Sequence, residues 1–245
     1  MPTLNQYSVV VPAAGIGKRM QKDCPKQYLQ IAGKTIIEHT LTNLLAHNQV
    51  KQVIVVLNPN DNLFAKLSIA SHPNIKIVEG GQERCDSVLA GLKYLTDDEE
   101  WVVVHDAARP CLTKTDLTAL LQLAEQGNSG GILATPVRDT MKRAVNIKVN
   151  KQNIIKKTES RENLWHALTP QFFKLALLKK ALSAANEQNT VITDEASAIE
   201  LLGEEVILVA GSASNIKITQ PEDLLLAEFY LTQKKLNIKG DLTEV

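Results

Sequence analysis

Apolar runs of strand length alternate along this chain with longer segments of helical periodicity. The first run, YSVVV at residues 7–11, is typical of a strand buried on both faces. Further runs of this kind are QVIVVLNP, IKIVEGG, WVVVHDAARP and GGILATPV, at residues 52–59, 75–81, 101–110 and 130–137. Strands and helices alternating at this spacing predict an α/β fold class, with a Rossmann-like, mostly parallel twisted sheet and helices on both faces.

Helices are predicted where apolar side chains recur on one face between these strands. Before residue 137 the predicted helices cover residues 34–47, 60–70, 83–95 and 115–126. After residue 163 the pattern predicts helices over residues 170–188, 193–203 and 219–235, and strands over residues 205–211 and 215–219. Three helix starts carry a capping pattern, a threonine followed three residues later by an acidic residue: Thr35/Glu38, Thr113/Asp116 and Thr219/Glu222.

The alternation breaks between residues 137 and 163, where eight basic residues occur against three acidic ones. The segment NIKVNKQNIIKK has the alternation of a two-stranded ribbon that turns near residues 150–153. A polar ribbon of this length is marginal alone, so we expect a projecting β-arm that packs on a second copy of the chain. A solvated surface hairpin is the alternative. We interpret residues 1–245 as a single domain that contains this arm.

The charge balance and the cysteines restrict the class of protein. Lys+Arg and Asp+Glu number 27 each, so the chain has no overall positive electrostatic field that would attract nucleic acid or an anionic membrane. Aromatic residues make up only 4%, which argues against a surface on which nucleic-acid bases stack. Cys24, Cys85 and Cys111 are scattered without a CxxC pair, which indicates a reduced, cytoplasmic protein. No apolar run reaches the roughly 20 residues of a membrane span, and the immediate entry into a strand leaves no room for a signal peptide.

A loop rich in small residues follows the first strand and matches neither standard phosphate-loop pattern. A Walker A loop fails because Gly17-Lys18 is followed by Arg19 instead of Ser or Thr. The dinucleotide fingerprint fails because Met20 stands where the third glycine belongs, and no acidic residue ends the second strand. Hydride transfer from a dinucleotide is therefore disfavoured.

The same loop nevertheless has the character of a phosphate site. Its small residues expose backbone N–H groups at the carboxyl end of a strand, where ligands bind in open α/β sheets. Arg19 and Lys26 add positive charge. Two further polar clusters follow later strands, one with Gly80, Gly81 and Ser87 and the other with Asp106 and Arg109. If these strands are parallel, all three clusters share one edge of the sheet.

At this point the motifs become recognisable as a set. Seven segments between residues 9 and 230 together resemble the 2-C-methyl-D-erythritol 4-phosphate cytidylyltransferases and occur in the order found in that family. They are PAAGIGKRM…PKQY, GGQERCDSV, VHDAARP, PVRDTMKR, LWHALTPQ, TDEASA and NIKIT.PEDL. The first motif is shared by a wider nucleotidyltransferase superfamily, whereas DTMKR and LWHALTPQ point to this family. The resemblance implies transfer of a cytidylyl group from CTP to 2-C-methyl-D-erythritol 4-phosphate, with release of pyrophosphate, in the non-mevalonate route to isoprenoids.

The resemblance also implies site residues, position by position. The residues matching those that bind the nucleotide are Ala13, Ala14, Gly15, Gly81, Ser87 and Asp106. Those matching catalytic cations are Arg19, Lys26, Arg161 and Lys217. Those matching the surroundings of methylerythritol phosphate are Arg109, Thr140, Thr169 and Thr193. Several of these are expected to come from the partner's arm in a homodimer whose active site spans the interface.

A magnesium ion held mainly by the CTP phosphates completes the implied site, without a dedicated set of protein ligands. In this mechanism the acceptor's phosphate attacks the α-phosphorus of CTP, and the cations and Mg²⁺ neutralise charge on the equatorial oxygens. Ribitol 5-phosphate cytidylyltransferase shares most of these motifs and remains an alternative, because the acceptor pocket separates the two. A dinucleotide-dependent dehydrogenase and a non-catalytic nucleotide-binding subunit are the rivals from other classes.

Overall fold

A seven-stranded sheet organises the chain in the computed structural model, which describes residues 5–15, 24–96, 98–147, 152–188 and 190–240. The strands within these ranges are β1 (Tyr7–Pro12), β2 (Gln30–Ile31), β3 (Lys34–Thr35), β4 (Val50–Leu57), β5 (Ile75–Glu79), β6 (Trp101–Val104), β7 (Gly130–Pro136), β8 (Met141–Ile147), β9 (Gln152–Glu159), β10 (Trp165–Lys174) and β11 (Ile207–Ala210). The helices are α1 (Ile36–Leu45), α2 (Arg84–Tyr94), α3 (Lys114–Leu121), α4 (Leu175–Glu187), α5 (Glu195–Leu201) and α6 (Glu222–Gly240).

The sheet has the strand order β11-β7-β10-β6-β1-β4-β5. Its neighbouring strands run parallel except at β10, which pairs antiparallel with both β6 and β7. β1 lies near the centre, where Val10 stands opposite Ile54 on one side and Val104 on the other. The predicted Rossmann-like, mostly parallel α/β fold is therefore confirmed.

Alternate residues of the central strands serve two separate apolar layers. Val9 and Val11 pack in the layer that α1 and α3 cover, whereas Val10 packs in the layer that α2, α4 and α5 cover. All three valines are fully buried. A strand with helices on both faces requires apolar residues at successive positions, which explains the unbroken YSVVV run.

The antiparallel strand β10 was not predicted, because its second half reads as the beginning of a helix. Residues 170–174 were expected in a helix over residues 170–188, but that helix begins only at Leu175. Phe172 and Phe173 are both fully buried and belong to opposite layers, as neighbours on a strand do. The Thr169–Pro170 bond within this strand is cis.

Three smaller expectations also proved wrong. Residues 60–70 form two 3₁₀ turns, Phe64–Lys66 and Ser68–Ser71, in place of a helix. Residues 215–219 are not a strand, because Ile218 N–H donates to the carbonyl of Ala108 in a loop instead of pairing with the sheet. The cap of α6 uses Asp223 in place of Glu222, since the Asp223 carboxylate accepts from the Thr219 N–H and hydroxyl. The caps predicted at Thr35 and Thr113 are present.

The predicted two-stranded ribbon is present as a separate sheet. β8 and β9 pair antiparallel with each other, from Met141 opposite Glu159 to Ile147 opposite Gln152. The side chains at residues 142–145 and 153–158 are exposed, so these parts of the arm contribute no core residue in a single chain. The predicted turn near residues 150–153 lies partly outside the described residues.

Helix α2 approaches the sheet closely at Gly91, and this contact gives a first prediction. A Cβ added there would lie 2.6 Å from Val10 Cγ1 and 2.9 Å from Val56 Cγ2, closer than real contacts allow. Overpacking of this kind costs about 1–3 kcal/mol, and the better helix propensity of alanine returns up to about 1 kcal/mol. We expect Gly91→Ala to lower the free energy of unfolding in urea by about 1–2 kcal/mol.

The control for Gly91→Ala is Lys93→Ala on the exposed face of the same helix, which is expected to leave stability nearly unchanged. Equal unfolding midpoints for Gly91→Ala and the wild type would contradict the close packing of α2 on β1 and β4.

Candidate active site

The three polar clusters predicted to share one edge of the sheet do meet there. A cavity, called here the first cavity, opens at the carboxyl ends of β1, β5 and β6. It is lined by Pro12, Ala13, Ala14, Gly15, Lys26, Gln27, Gly81, Gln82, Glu83, Arg84, Ser87, Asp106, Ala107, Ala108 and Lys217. Parallel pairing of the strands brings these distant segments together.

The loop after β1 is held in position by a buried glutamine. Gln27 donates from Nε2 to the carbonyl of Ala13 at 2.8 Å and to that of Gly15 at 3.3 Å, and the Ala13 N–H donates to Val56 O at 2.8 Å. Ala13, Ala14 and Gly15, the loop residues expected to bind the nucleotide, all line the first cavity. Arg19 lies outside the described residues.

The loop after β5 packs directly against the loop after β1. A Cβ on Gly80 would lie 2.8 Å from Ser87 Oγ and 2.9 Å from Ala14 Cβ, and one on Gly81 would lie 2.3 Å from Asp86 Cβ. A larger residue at either position would therefore displace its neighbours. Ser87 is buried in the first turn of α2, where its hydroxyl donates to the carbonyl of Glu83 at 3.1 Å.

Asp106 is the electrostatic centre of the site. Its Oδ2 lies 2.8 Å from Lys217 Nζ and 3.6 Å from Arg109 Nε, and its Oδ1 accepts from Arg84 at 3.2 and 3.3 Å. Burial alone would raise the pKa of the Asp106 carboxyl, but Arg84 and Lys217 outweigh burial and hold that pKa well below its usual range. Asp106 is therefore ionised throughout the neutral range.

A second cavity adjoins the first on the other side of Asp106. Arg84, Asp106 and Lys217 line both cavities. The other residues that line the second cavity are Arg109, Ala167, Leu168, Thr169, Gln171, Thr193 and Asp194. Three of the residues predicted around the acceptor, Arg109, Thr169 and Thr193, are therefore brought together. Lys217 stands where the two cavities meet, which is where a reaction between two ligands would occur.

A buried network fixes the wall of the second cavity. Arg109 Nη1 donates to Asn215 O at 2.7 Å, and Asn215 Nδ2 donates to Thr169 O at 2.8 Å. The Thr169 hydroxyl accepts from the Asp106 N–H at 3.0 Å and lies 3.1 Å from His105 Nδ1. Burial lowers the pKa of His105 to about 4, so the imidazole is neutral and structural at physiological pH.

Lys26 contributes a cation to the first cavity from the opposite wall. Its Nζ donates to the carbonyl of Ile218 at 2.9 Å, which places it next to the segment that carries Lys217. Lys26, Arg84, Arg109 and Lys217 bring four cationic side chains to the two cavities, whose linings also include the carboxylates of Glu83, Asp106 and Asp194. Cationic side chains grouped in this way suit phosphorylated ligands.

Thr140 and Arg161 are not brought to this site within one chain. Both side chains are exposed and stand beside the arm, just before β8 and just after β9. Arg161 donates to the carbonyl of Arg138, and neither residue is among those described as lining the two cavities. Their predicted roles require that the arm reach another copy of the chain.

Sequence reasoning missed Arg84, Gln27 and Glu195. Arg84 begins α2 three residues after Gly81, and its place directly after a strand-end loop was a usable signal. Glu195 is buried beneath Arg84 and pairs with it at 2.6 Å. Burial alone would lower the pKa of Arg84, but the carboxylates of Glu195 and Asp106 outweigh it and raise that pKa. Gln27 lies in the PKQY motif and Glu195 in the TDEASA motif, but the role of each depends on partners outside its own segment, 12 and 14 residues away for Gln27 and 111 residues away for Glu195.

Across the described ranges, no group of three or more His, Cys, Asp or Glu side chains is arranged to hold a metal ion. Among the described helices, none combines the length and the apolar content that crossing a bilayer requires.

Comparison with known proteins gives a consistent set of relatives. A family model described as IspD, 2-C-methyl-D-erythritol 4-phosphate cytidylyltransferase, matches residues 7–233. A protein of that name from Pseudoalteromonas atlantica is 61% identical over 234 residues, covering 96% of this chain and 99% of the relative. One from Escherichia fergusonii is 58% identical over 224 residues, covering 91% and 93%. A crystal structure of the Francisella tularensis protein of that name has a TM-score of 0.78 at 36% identity, covering 92% and 100%.

Proposed function

The chain belongs to the family of 2-C-methyl-D-erythritol 4-phosphate cytidylyltransferases, and we propose from this membership that it performs the reaction for which the family is named. It transfers a cytidylyl group from CTP to 2-C-methyl-D-erythritol 4-phosphate and releases pyrophosphate, giving 4-diphosphocytidyl-2-C-methyl-D-erythritol for the non-mevalonate route to isoprenoids. The observation that carries the proposal is the pair of adjoining cavities that share Arg84, Asp106 and Lys217.

We assign the first cavity to CTP and the second to the acceptor. The small residues of the loop after β1 allow the nucleotide to approach the backbone closely, and Gly81 and Ser87 line the same cavity. Arg109 and Thr193 line the second cavity and suit a phosphorylated polyol, which needs a cation and hydroxyl partners.

The reaction joins two anions, so electrostatic repulsion between the two substrates is the main obstacle to it. A phosphate oxygen of the acceptor forms a bond to the α-phosphorus of CTP, and the bond from that phosphorus to the bridging oxygen of pyrophosphate breaks. Lys217 at the junction and Lys26 in the first cavity neutralise charge that spreads over the transferred phosphoryl oxygens. The acceptor's phosphate is already an anion at neutral pH, so no protein nucleophile or strong general base is required.

Magnesium is proposed to enter as part of the substrate, as the Mg²⁺ complex of CTP. Mg²⁺ is usually bound through one or two carboxylates together with substrate phosphates. In this site the buried carboxylate, Asp106, is already paired with Arg84 and Lys217, so the triphosphate is the better source of ligands. Bound to it, Mg²⁺ supplies further neutralisation of the phosphate charge.

The active unit is proposed to be a homodimer in which each arm completes the partner's site. The exposed arm, with apolar side chains such as Ile154 and Ile155 on its surface, supports an interface there. Thr140 and Arg161 would then reach the partner's second cavity. The reduced cysteines Cys24, Cys85 and Cys111 fit the reducing cytoplasm, where we place the enzyme, and the balanced charge gives no support for a nucleic-acid partner.

Pyrophosphate release tests the function directly. The purified enzyme is given each of the four NTPs with methylerythritol phosphate, with ribitol 5-phosphate or with no acceptor. We expect release with CTP and methylerythritol phosphate, loss of that release with excess EDTA, and its return with added Mg²⁺. Faster release with ribitol 5-phosphate would assign the enzyme to the alternative acceptor, and no release with any acceptor would refute the proposal.

A further inference from the structure

We propose that Glu195 is a positioning residue that sets the place of Lys217 through Arg84 and Asp106, an inference that rests on the function proposed above. The Glu195 carboxylate accepts from Arg84 Nη1 at 2.6 Å and from Nη2 at 3.0 Å. Arg84 also donates from Nε and Nη2 to Asp106 Oδ1, and Asp106 Oδ2 pairs with Lys217 Nζ. These four side chains form a continuous relay, called here the Glu195 relay.

Glu195 acts from behind the site. Among the described residues that line the two cavities, Arg84 occurs in both and Glu195 in neither. Glu195 is 1% exposed, whereas the side chain of Lys217 at the other end of the relay is 39% exposed. A buried carboxylate is costly unless it is paired, and the two-point contact with a guanidinium meets that requirement. Glu195 therefore positions Arg84 and does not itself contact a ligand, whereas Arg84, Asp106 and Lys217 line the cavities.

The backbone around Glu195 is anchored on both sides by one residue of the sheet. Gln171 on β10 donates from Nε2 to Asp194 Oδ2 at 2.8 Å, and its Oε1 accepts from the Ala196 N–H at 2.9 Å. Asp194 also caps α5 by accepting from the Ser197 N–H at 3.0 Å. The backbone at Glu195 is thus held in place, and the ion pair with Glu195 in turn restrains the position of Arg84.

Pairing with Glu195 restricts an arginine that would otherwise be adaptable. The Arg84 side chain is 30% exposed, and its long stem allows many rotamers in the absence of a partner. With Nη1 and Nη2 bound to Glu195, Nε and Nη2 are left facing Asp106 in the geometry observed. Asp106 then presents its second oxygen to Lys217.

The Glu195 relay also joins the walls of the two cavities. Arg84 begins α2, directly after the loop that lines the first cavity, and Glu195 begins α5, directly after Thr193 of the second cavity. Loss of Glu195 should therefore disturb the junction at Lys217 more than either binding surface. A reacting group displaced by about 1 Å can lose ~10²-fold in rate, so the effect should appear in kcat.

The test compares Glu195→Gln with wild type in steady-state kinetics for both substrates. We expect kcat to fall by about 10- to 100-fold, with KM for CTP and for the acceptor within about threefold of wild type. The matched control is Glu200→Gln, an exposed carboxylate on the same helix, for which both parameters should be unchanged. A purely structural role would lower thermal stability without this division between kcat and KM.

A double variant tests whether Glu195 acts through Arg84. Glu195→Gln combined with Arg84→Gln is expected to have the same kcat as Arg84→Gln alone, because the second change removes the route by which the first acts. A kcat that falls further in the double variant by the full factor of Glu195→Gln would overturn the relay. A folded Glu195→Gln enzyme with the wild-type kcat would also overturn the relay.

Failure of the proposed function can be told apart from failure of this inference. A wild-type enzyme that transfers no cytidylyl group refutes the function, and the relay is then judged by a crystal structure of Glu195→Gln. Displacement of Arg84 and Lys217 there supports the inference, and an unchanged pairing of Lys217 with Asp106 overturns it.

Discussion

Replacement of Lys217 with alanine is expected to lower kcat by ~10²–10³-fold, the usual loss when one well-placed charge at a transition state is removed. Lys217 is the cation at the junction of the two cavities, 2.8 Å from Asp106. The fold should persist, because Asp106 keeps Arg84 and Arg109 as partners and the Lys217 side chain is well exposed. Pyrophosphate release at saturating CTP and acceptor measures the effect, and circular dichroism checks the fold.

The control for this variant is Lys93→Ala, which removes an exposed lysine on α2 away from both cavities. It should keep wild-type turnover. A Lys217→Ala enzyme that stays within threefold of wild-type kcat would show that this lysine has no part in stabilising the transition state.

Mixing two inactive variants should restore activity if the active site is shared between two copies of the chain. Lys217→Ala changes the part of the chain that contains the two cavities, called here the body, whereas Arg161→Ala changes the segment of the arm that follows β9. In a mixed dimer, the intact body of one chain would meet the intact arm of the other. Random exchange of subunits at equal amounts makes about half of the dimers mixed, each with one intact site, so about a quarter of wild-type activity should return.

The matched control mixes Lys217→Ala with Lys26→Ala, where both changes lie in the body of the chain and no intact site can form. Activity that stays at the level of the separate variants in the Lys217→Ala and Arg161→Ala mixture, after exchange is verified by tagged subunits, would refute the shared site. A chain that is monomeric by light scattering at assay concentration would refute it as well.

Much of the fold was predictable because it follows from local periodicity. Unbroken apolar runs such as Val9–Val11 predicted strands with helices on both faces, and the capping pattern at Thr35 marked a helix start within one residue. Strand β10 was missed because the buried pair Phe172 and Phe173 is followed almost at once by the apolar residues of α4, so the end of the strand and the helix were read as one helix. Phe172 and Phe173 differ from helical residues only in facing opposite layers, which requires the sheet to be known.

The residues of the candidate site were likewise only partly predictable from the sequence. Gly80, Gly81 and Asp106 were identified because they follow strands, and parallel strands place their carboxyl ends at one edge. The NIKIT segment was assigned to a strand, yet Lys217 is held in a loop by the bond from Ile218 N–H to Ala108 O. The roles of Thr140 and Arg161 stay predictions, because within a single chain both stand beside the arm and away from the cavities.

Periodicity, strand-end chemistry and family motifs were thus sufficient to predict the fold class and the edge of the sheet at which the two cavities open. Each of these features is a property of a short segment. The pairing of Arg84 with Glu195, 111 residues later in the chain, and the meeting of two cavities at Lys217 appear only in the folded molecule. A buried ion pair depends on which distant segments fold against each other, and side-chain order along the chain carries little information about that choice.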